Sequence, residues 1–199
     1  MARIEFFFDV ASPYTWLAVD RIVEVAESTG AELVWRPMLL GGLFKTVGNT
    51  MPAALAPRGA WMLADLGRIA TQTGTPLRFP ANFPPNSLGA MRACAGVPDA
   101  ALPAFARAIF HAYWFDNLDP SDPSTLRAAA TEAGLDPDAV LASLADPDVK
   151  AKLRATTDEA AKRGAFGAPT FFVQRDDGDE AMFWGQDRVD QLTWYLGAS

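Results

Sequence analysis

Ser12 stands in the run Phe7-Phe8-Asp9-Val10-Ala11-Ser12-Pro13-Tyr14, where an apolar segment gives way to a helix start. Serine is a preferred N-cap, and proline suits the first helical position because its missing N–H would find no partner there anyway. The same geometry gathers free N–H groups and positive potential, which favour an anion and lower the pKa of a thiol held nearby. The chain has no thiol suited to that place. Its one cysteine, Cys94, lies in Ala90-Met91-Arg92-Ala93-Cys94-Ala95, a small-residue helix that reads as the setting of a buried, inert thiol. A single cysteine can neither bridge within the chain nor cycle a disulfide. His111 is the one histidine, so a Ser-His-Asp triad would depend on it, and a metal site built from several Cys or His ligands is excluded. Within Phe110-His111-Ala112-Tyr113-Trp114 it reads as structural.

Four further positions could carry chemistry, and each has a plain structural reading. Asn49 follows Gly48 and fits a turn. Lys45 reads as a solvated lysine, or as a cation for a substrate carboxylate. Asp187 fits the N-cap of a last helix, with Gln186 beside it. Pro169 follows Ala168, and an X–Pro bond is cis in only about 6% of cases in folded proteins, so the local sequence reads as trans.

Residues 3–9, rich in Phe, predict a buried strand, and Trp16, Val19, Ile22, Val23 and Ala26 then recur at helical spacing until Gly30. A second strand follows over 31–37, giving a β–α–β opening. Residues 38–57 read as loop and 58–73 as helix; the Pro-rich stretch 76–85 is irregular, and from there to residue 163 the signals are helical. Asp122-Pro123, Asp136-Pro137 and Asp146-Pro147 each announce a helix start. Gly167–Val173 leads into a strand, 175–180 into a turn, Met182-Phe183-Trp184 into a return strand, and Gly185-Gln186-Asp187 into a final helix. Sheet material at both ends with helices between predicts one α/β domain, residues 1–40 and 164–199, carrying a connecting loop and helical insertion over 41–163.

The 199 residues are 50% hydrophobic and 21% charged, an ordinary globular composition. A net charge of −7 without a basic run argues against nucleic acid. No apolar stretch is long enough to span a bilayer, and Glu5 and Asp9 interrupt the first apolar run too early for a signal peptide, so the cytoplasm is the expected compartment.

Along the chain stand, in order, Ser12-Pro13-Tyr14, Trp35-Arg36-Pro37, Leu40-Gly41-Gly42-Leu43-Phe44-Lys45, Gly48-Asn49, Phe79-Pro80, Phe166-Gly167-Ala168-Pro169-Thr170-Phe171 and Phe183-Trp184-Gly185-Gln186-Asp187-Arg188. This ordered set resembles the DsbA-like branch of the thioredoxin superfamily, and within it the kappa-class glutathione transferases and the glutathione-dependent isomerases related to them. The resemblance implies a thioredoxin-like fold with Pro169 cis and facing the first helix turn. It implies glutathione as cofactor, its sulfur at Ser12 and its cysteinyl backbone at Ala168. Asn49 would contact the ligand, Asp187 would meet the α-amino group and Gln186 the α-carboxylate. It further implies a homodimer and a small aromatic substrate, a hydroxychromene carboxylate isomerised to its trans benzylidene-pyruvate during naphthalene-type catabolism. A kappa-like transferase or peroxidase and a non-catalytic thioredoxin-fold binding module are the alternatives.

Overall fold

The computed structural model describes residues 1–51 and 56–197. A four-stranded sheet of order β2-β1-β3-β4 forms its centre, from β1 (Arg3–Phe8), β2 (Glu32–Pro37), β3 (Thr170–Gln174) and β4 (Glu180–Trp184). β2 runs parallel to β1, whereas β3 is antiparallel to β1 and β4 to β3. Phe6 stands opposite both Trp35 and Phe171, so the sheet is stitched by aromatic cross-strand neighbours.

Alternation along β1 sets the two layers. Ile4, Phe6 and Phe8 enter the larger apolar cluster, while Phe7 joins a smaller one with Met38, Leu43 and Phe172. Glu5 shares the Phe7 face and pairs with Arg36 at 3.6 Å and Arg163 at 2.6 Å. The larger cluster is continuous from the sheet through α5 (Leu88–Gly96), α6 (Leu102–Trp114) and α7 (Pro123–Glu132). Along α6, Leu102, Phe105, Ala106, Ile109, Phe110 and Tyr113 form one buried stripe.

Each Asp-Pro start is a side-chain-capped helix. Asp122, Asp136 and Asp146 accept from the N–H two residues on, at the heads of α7, α8 (Pro137–Ser143) and α9 (Pro147–Lys162). The final segment is a short 3₁₀ turn, Gln186–Arg188, leading into α10 (Val189–Gly197).

Two expectations fail. The first helix is not continuous: α1 (Pro13–Trp16) ends at Leu17, and α2 (Val19–Thr29) begins after Ala18. Trp16, Leu17, Ala18 and Val19 are four consecutive buried residues, which a helix with one apolar stripe cannot provide. Residues 38–57 are not all loop. Leu40–Val47 is a helix, α3, closed by Gly48 at φ 70°. Its entry lacks a local cap because Leu39 N–H donates to Thr157 Oγ1 and Leu40 N–H to Asp9 Oδ2, both far away in sequence. A further helix, α4 (Ala56–Thr73), follows; positions 52–55 of the expected loop lie outside the described residues.

Candidate functional site

Ser12 is the N-cap of α1, with φ −90° and ψ 115°, and its Oγ accepts from Thr15 N–H at 3.2 Å. The same hydroxyl donates to the Ala168 carbonyl at 2.9 Å, and the Ala168–Pro169 bond is cis. Two chain segments 156 residues apart therefore meet at one hydroxyl. Ser12 is 4% exposed and lines a cavity of about 1250 Å³ whose wall also includes Asn49, Ala168, Gln186 and Asp187. Ala168 N–H takes no partner among the described residues.

Asp9, three residues before Ser12, is fully buried on this wall. Its carboxyl accepts from Ala11 N–H at 2.9 Å and Leu40 N–H at 2.7 Å and meets Ser87 Oγ at 3.1 Å. Burial pushes its pKa up against the pull of those three hydrogen bonds. Asp9 thus ties the Ser12 turn to the head of α3 and to the loop before α5. Tyr14 is pushed up to about 12 by burial, by the charges of Asp65 and Asp187, and by a hydrogen bond to Asp65, so its phenol stays protonated and donates.

Asn49 donates Nδ2 to Phe166 O at 2.7 Å and accepts from Thr50 N–H at 2.8 Å, bracing the loop that carries Ala168. Asp187 does not cap the last helix. Gly185 at φ 104° caps the 3₁₀ turn that precedes α10, with no side-chain hydrogen bond, and the Asp187 carboxylate is 59% exposed, 3.5 Å from Arg188. Its position inside a 3₁₀ turn rather than ahead of one removes the capping geometry.

Lys45 is exposed on α3 and does not line the cavity. Arg58, in the first turn of α4, does. Its spacing to Trp61, Met62 and Asp65, all on the wall, marks one helix face pointed at the cavity. Among the described wall residues the charged side chains are Asp9, Asp65, Asp187 and Arg58. The remaining lining is largely apolar. Phe44 and Trp61 contribute to it, but Trp16 and Trp114 belong to the core, their indoles donating to Pro76 O and Val10 O. Phe83, Phe166 and Trp184 are wall aromatics that local sequence did not single out; Gly167 leaves room for the Trp184 indole, which a Cβ there would strike.

Cys94 is 1% exposed in α5, off the wall, and burial followed by the charge of Asp9 pushes its thiol far up. His111 is half-exposed, also off the wall, and has a partner in Asp116 Oδ2 at 3.1 Å. Among the described residues no group of three or more His, Cys, Asp or Glu could hold a metal, and no helix is long and apolar enough to cross a membrane.

Residues 3–197 match the DSBA-like thioredoxin domain. The chain is 35% identical over 195 residues to the 2-hydroxychromene-2-carboxylate isomerase of Sphingobium xenophagum, spanning 97% of each sequence. It is 34% identical to glutathione S-transferase kappa 1 of Homo sapiens, spanning 98% of this chain and 90% of that one. A solved 2-hydroxychromene-2-carboxylate isomerase superposes with a TM-score of 0.86 at 28% identity, covering 98% of this chain and 94% of the other.

Proposed function

The chain belongs to the DSBA-like thioredoxin domain family, and we propose that within it this protein is a glutathione-dependent isomerase of a hydroxychromene-type aromatic carboxylate. One observation carries the reading. A buried serine hydroxyl sits at a helix N-terminus against the Ala168 carbonyl, in a chain whose one thiol is buried elsewhere. Such a place suits a sulfur anion that must come from outside.

The surrounding groups fit a thiol peptide. Ala168 N–H, without a partner among the described residues, is available for strand-like pairing with the peptide backbone. Asp187 supplies a carboxylate for an ammonium group, and Gln186 an amide for a carboxylate. Arg58 takes the carboxylate-binding role expected of Lys45, because it is on the wall and Lys45 is not. Bound glutathione would supply nucleophilic thiolate chemistry, a reversible conjugate addition to the ring-opened substrate in which the π pair moves onto the substrate carbonyl oxygen, the former double bond can rotate, and the returning pair expels the thiolate unchanged. Ser12 donates its proton toward the sulfur, and the amides at the start of α1 hold negative charge there. The apolar lining, with Phe44, Trp61, Phe83 and Trp184, receives a flat ring and excludes water.

The test is an isomerisation assay with 2-hydroxychromene-2-carboxylate at increasing glutathione. Turnover should require glutathione without consuming it, and give the trans benzylidene-pyruvate. The near-equal identity to the kappa-class transferase favours one second reading, transfer to an electrophile or peroxide reduction, in which glutathione is consumed stoichiometrically. Absence of both turnover and glutathione binding would leave a non-catalytic binding module. The setting we assign is cytoplasmic breakdown of naphthalene-type aromatics by a homodimer, its mass read by sedimentation. We keep residues 41–163 as an insertion between the two thioredoxin-like segments.

A further inference from the structure

Gln186 is held by a residue outside the cavity. Arg21, on α2 and off the wall, donates Nη1 to the Gln186 carbonyl and to Gln186 Oε1, each at 3.0 Å, and Nη2 to Asp190 Oδ1 at 2.7 Å. A guanidinium carries donors only, so the side-chain amide must turn its oxygen to Arg21. Its Nε2 is thereby turned away from Arg21, and it takes no partner among the described residues. Gln186 is 8% exposed and lines the cavity.

We propose that Arg21 is the positioning residue of a carboxylate subsite, fixing Gln186 so that Nε2 donates to the α-carboxylate of an amino-acid-like ligand group. The inference rests on the glutathione reading above and assigns the ligand's α-carboxylate to Gln186 and its ammonium to the neighbouring Asp187. Unrestrained, the amide could present either end, and its oxygen would repel a carboxylate. Arg21 removes that alternative. It also offsets the charge of Asp190, which with Asp187 would otherwise make this end of the cavity hostile to an anion. The Arg21 side chain is 22% exposed against 87% for Asp190, so the guanidinium is the better-buried half of that pair. A lysine cannot replace it, since one ammonium lacks the planar fork that meets the backbone and side-chain oxygens of Gln186 together with Asp190.

The experiment titrates wild type, Arg21→Met, Arg21→Lys, Gln186→Ala and the Arg21→Met/Gln186→Ala double variant by calorimetry. Two ligands are used: glutathione, and 4-aminobutanoyl-cysteinylglycine, which keeps the ammonium and thiol and lacks the α-carboxylate. Arg21→Met and Arg21→Lys should each bind glutathione about tenfold more weakly, the size of one hydrogen bond to a charged group. Their affinity for the analogue should stay at the wild-type value. The double variant should bind glutathione no more weakly than Gln186→Ala alone, because both changes remove one interaction. Unchanged glutathione affinity in both Arg21 variants overturns the proposal. So does equal weakening toward both ligands, which would make Arg21 a staple between α2 and α10. Wild type failing to bind glutathione overturns the parent reading itself, and that result is visible before any variant is compared.

Discussion

Ser12→Ala separates the two tasks of one hydroxyl. The side chain accepts from Thr15 N–H and donates to Ala168 O, so its removal costs a helix cap and leaves a carbonyl without its donor. A cap contributes about 1 kcal/mol, and a lost neutral hydrogen bond about 1 more. For a chain of this size that sum lowers the melting temperature by roughly 4–8 °C, well short of unfolding it at room temperature. The effect on chemistry should be larger. A hydrogen bond to a charged group contributes about 1.5–3 kcal/mol, which corresponds to roughly 10- to 150-fold in thiolate stabilisation. The assay follows thiolate absorbance of bound glutathione against pH, together with turnover at sub-saturating glutathione. In the Ala variant the thiol pKa should rise by about one to two units, and turnover at neutral pH should fall in parallel. Wild-type turnover with an unmoved thiol titration, in a variant that melts a few degrees lower, would remove Ser12 from the mechanism and leave it a helix cap.

Asp187→Asn should weaken glutathione binding by roughly 10- to 150-fold while slowing saturated turnover far less, because an ammonium contact remote from the sulfur is alike in ground and transition states; calorimetry and kcat measured together decide it. Arg58→Ala should raise KM for the carboxylate substrate about tenfold or more, whereas Lys45→Ala should leave it unchanged. Thr15 Oγ1 is buried without a partner among the described residues, so Thr15→Val should raise stability by about 1 kcal/mol in denaturant unfolding.

Elements that announce themselves locally were legible. The Phe run of β1, the three Asp-Pro caps and the β3–β4 turn each depend on neighbours within a few residues, and each stands where sequence places it. α3 was hidden because Gly41 and Gly42 weaken its local propensity, while the groups that satisfy its entry come from 31 and 118 residues away. Asp187 misled for a related reason: its residue type suits a cap, but the chain enters the final helix through a 3₁₀ turn. The approach of Pro169 to the Ser12 turn followed from the family resemblance alone, since no local pattern specifies a cis-proline, and the Ser12 hydrogen bond to Ala168 O was not foreseen. The cavity's cation shows the opposite limit. Lys45 and Arg58 are alike as isolated cations, and only the face shared with Trp61 and Asp65 distinguishes them.

The hydroxyl of Ser12 has one proton, and in this structure Ala168 O receives it. Donation to a sulfur anion therefore requires that the proton leave that carbonyl, which would be left unpaired at a cost of about 1–3 kcal/mol. A peptide that pairs with Ala168 as an added strand brings its own N–H and removes that cost. Thiolate stabilisation should then depend on the peptide frame around the sulfur as well as on the sulfur. Compared at saturation, a peptide-free thiol such as 2-mercaptoethanol should show a bound pKa close to its solution value, whereas glutathione should show a depressed one. N-acetylcysteine methylamide, which has the backbone N–H but neither end group of glutathione, should recover most of the depression despite binding weakly. If 2-mercaptoethanol were depressed as far as glutathione, helix-terminal potential alone would account for the sulfur site and the proton switch at Ser12 would be refuted.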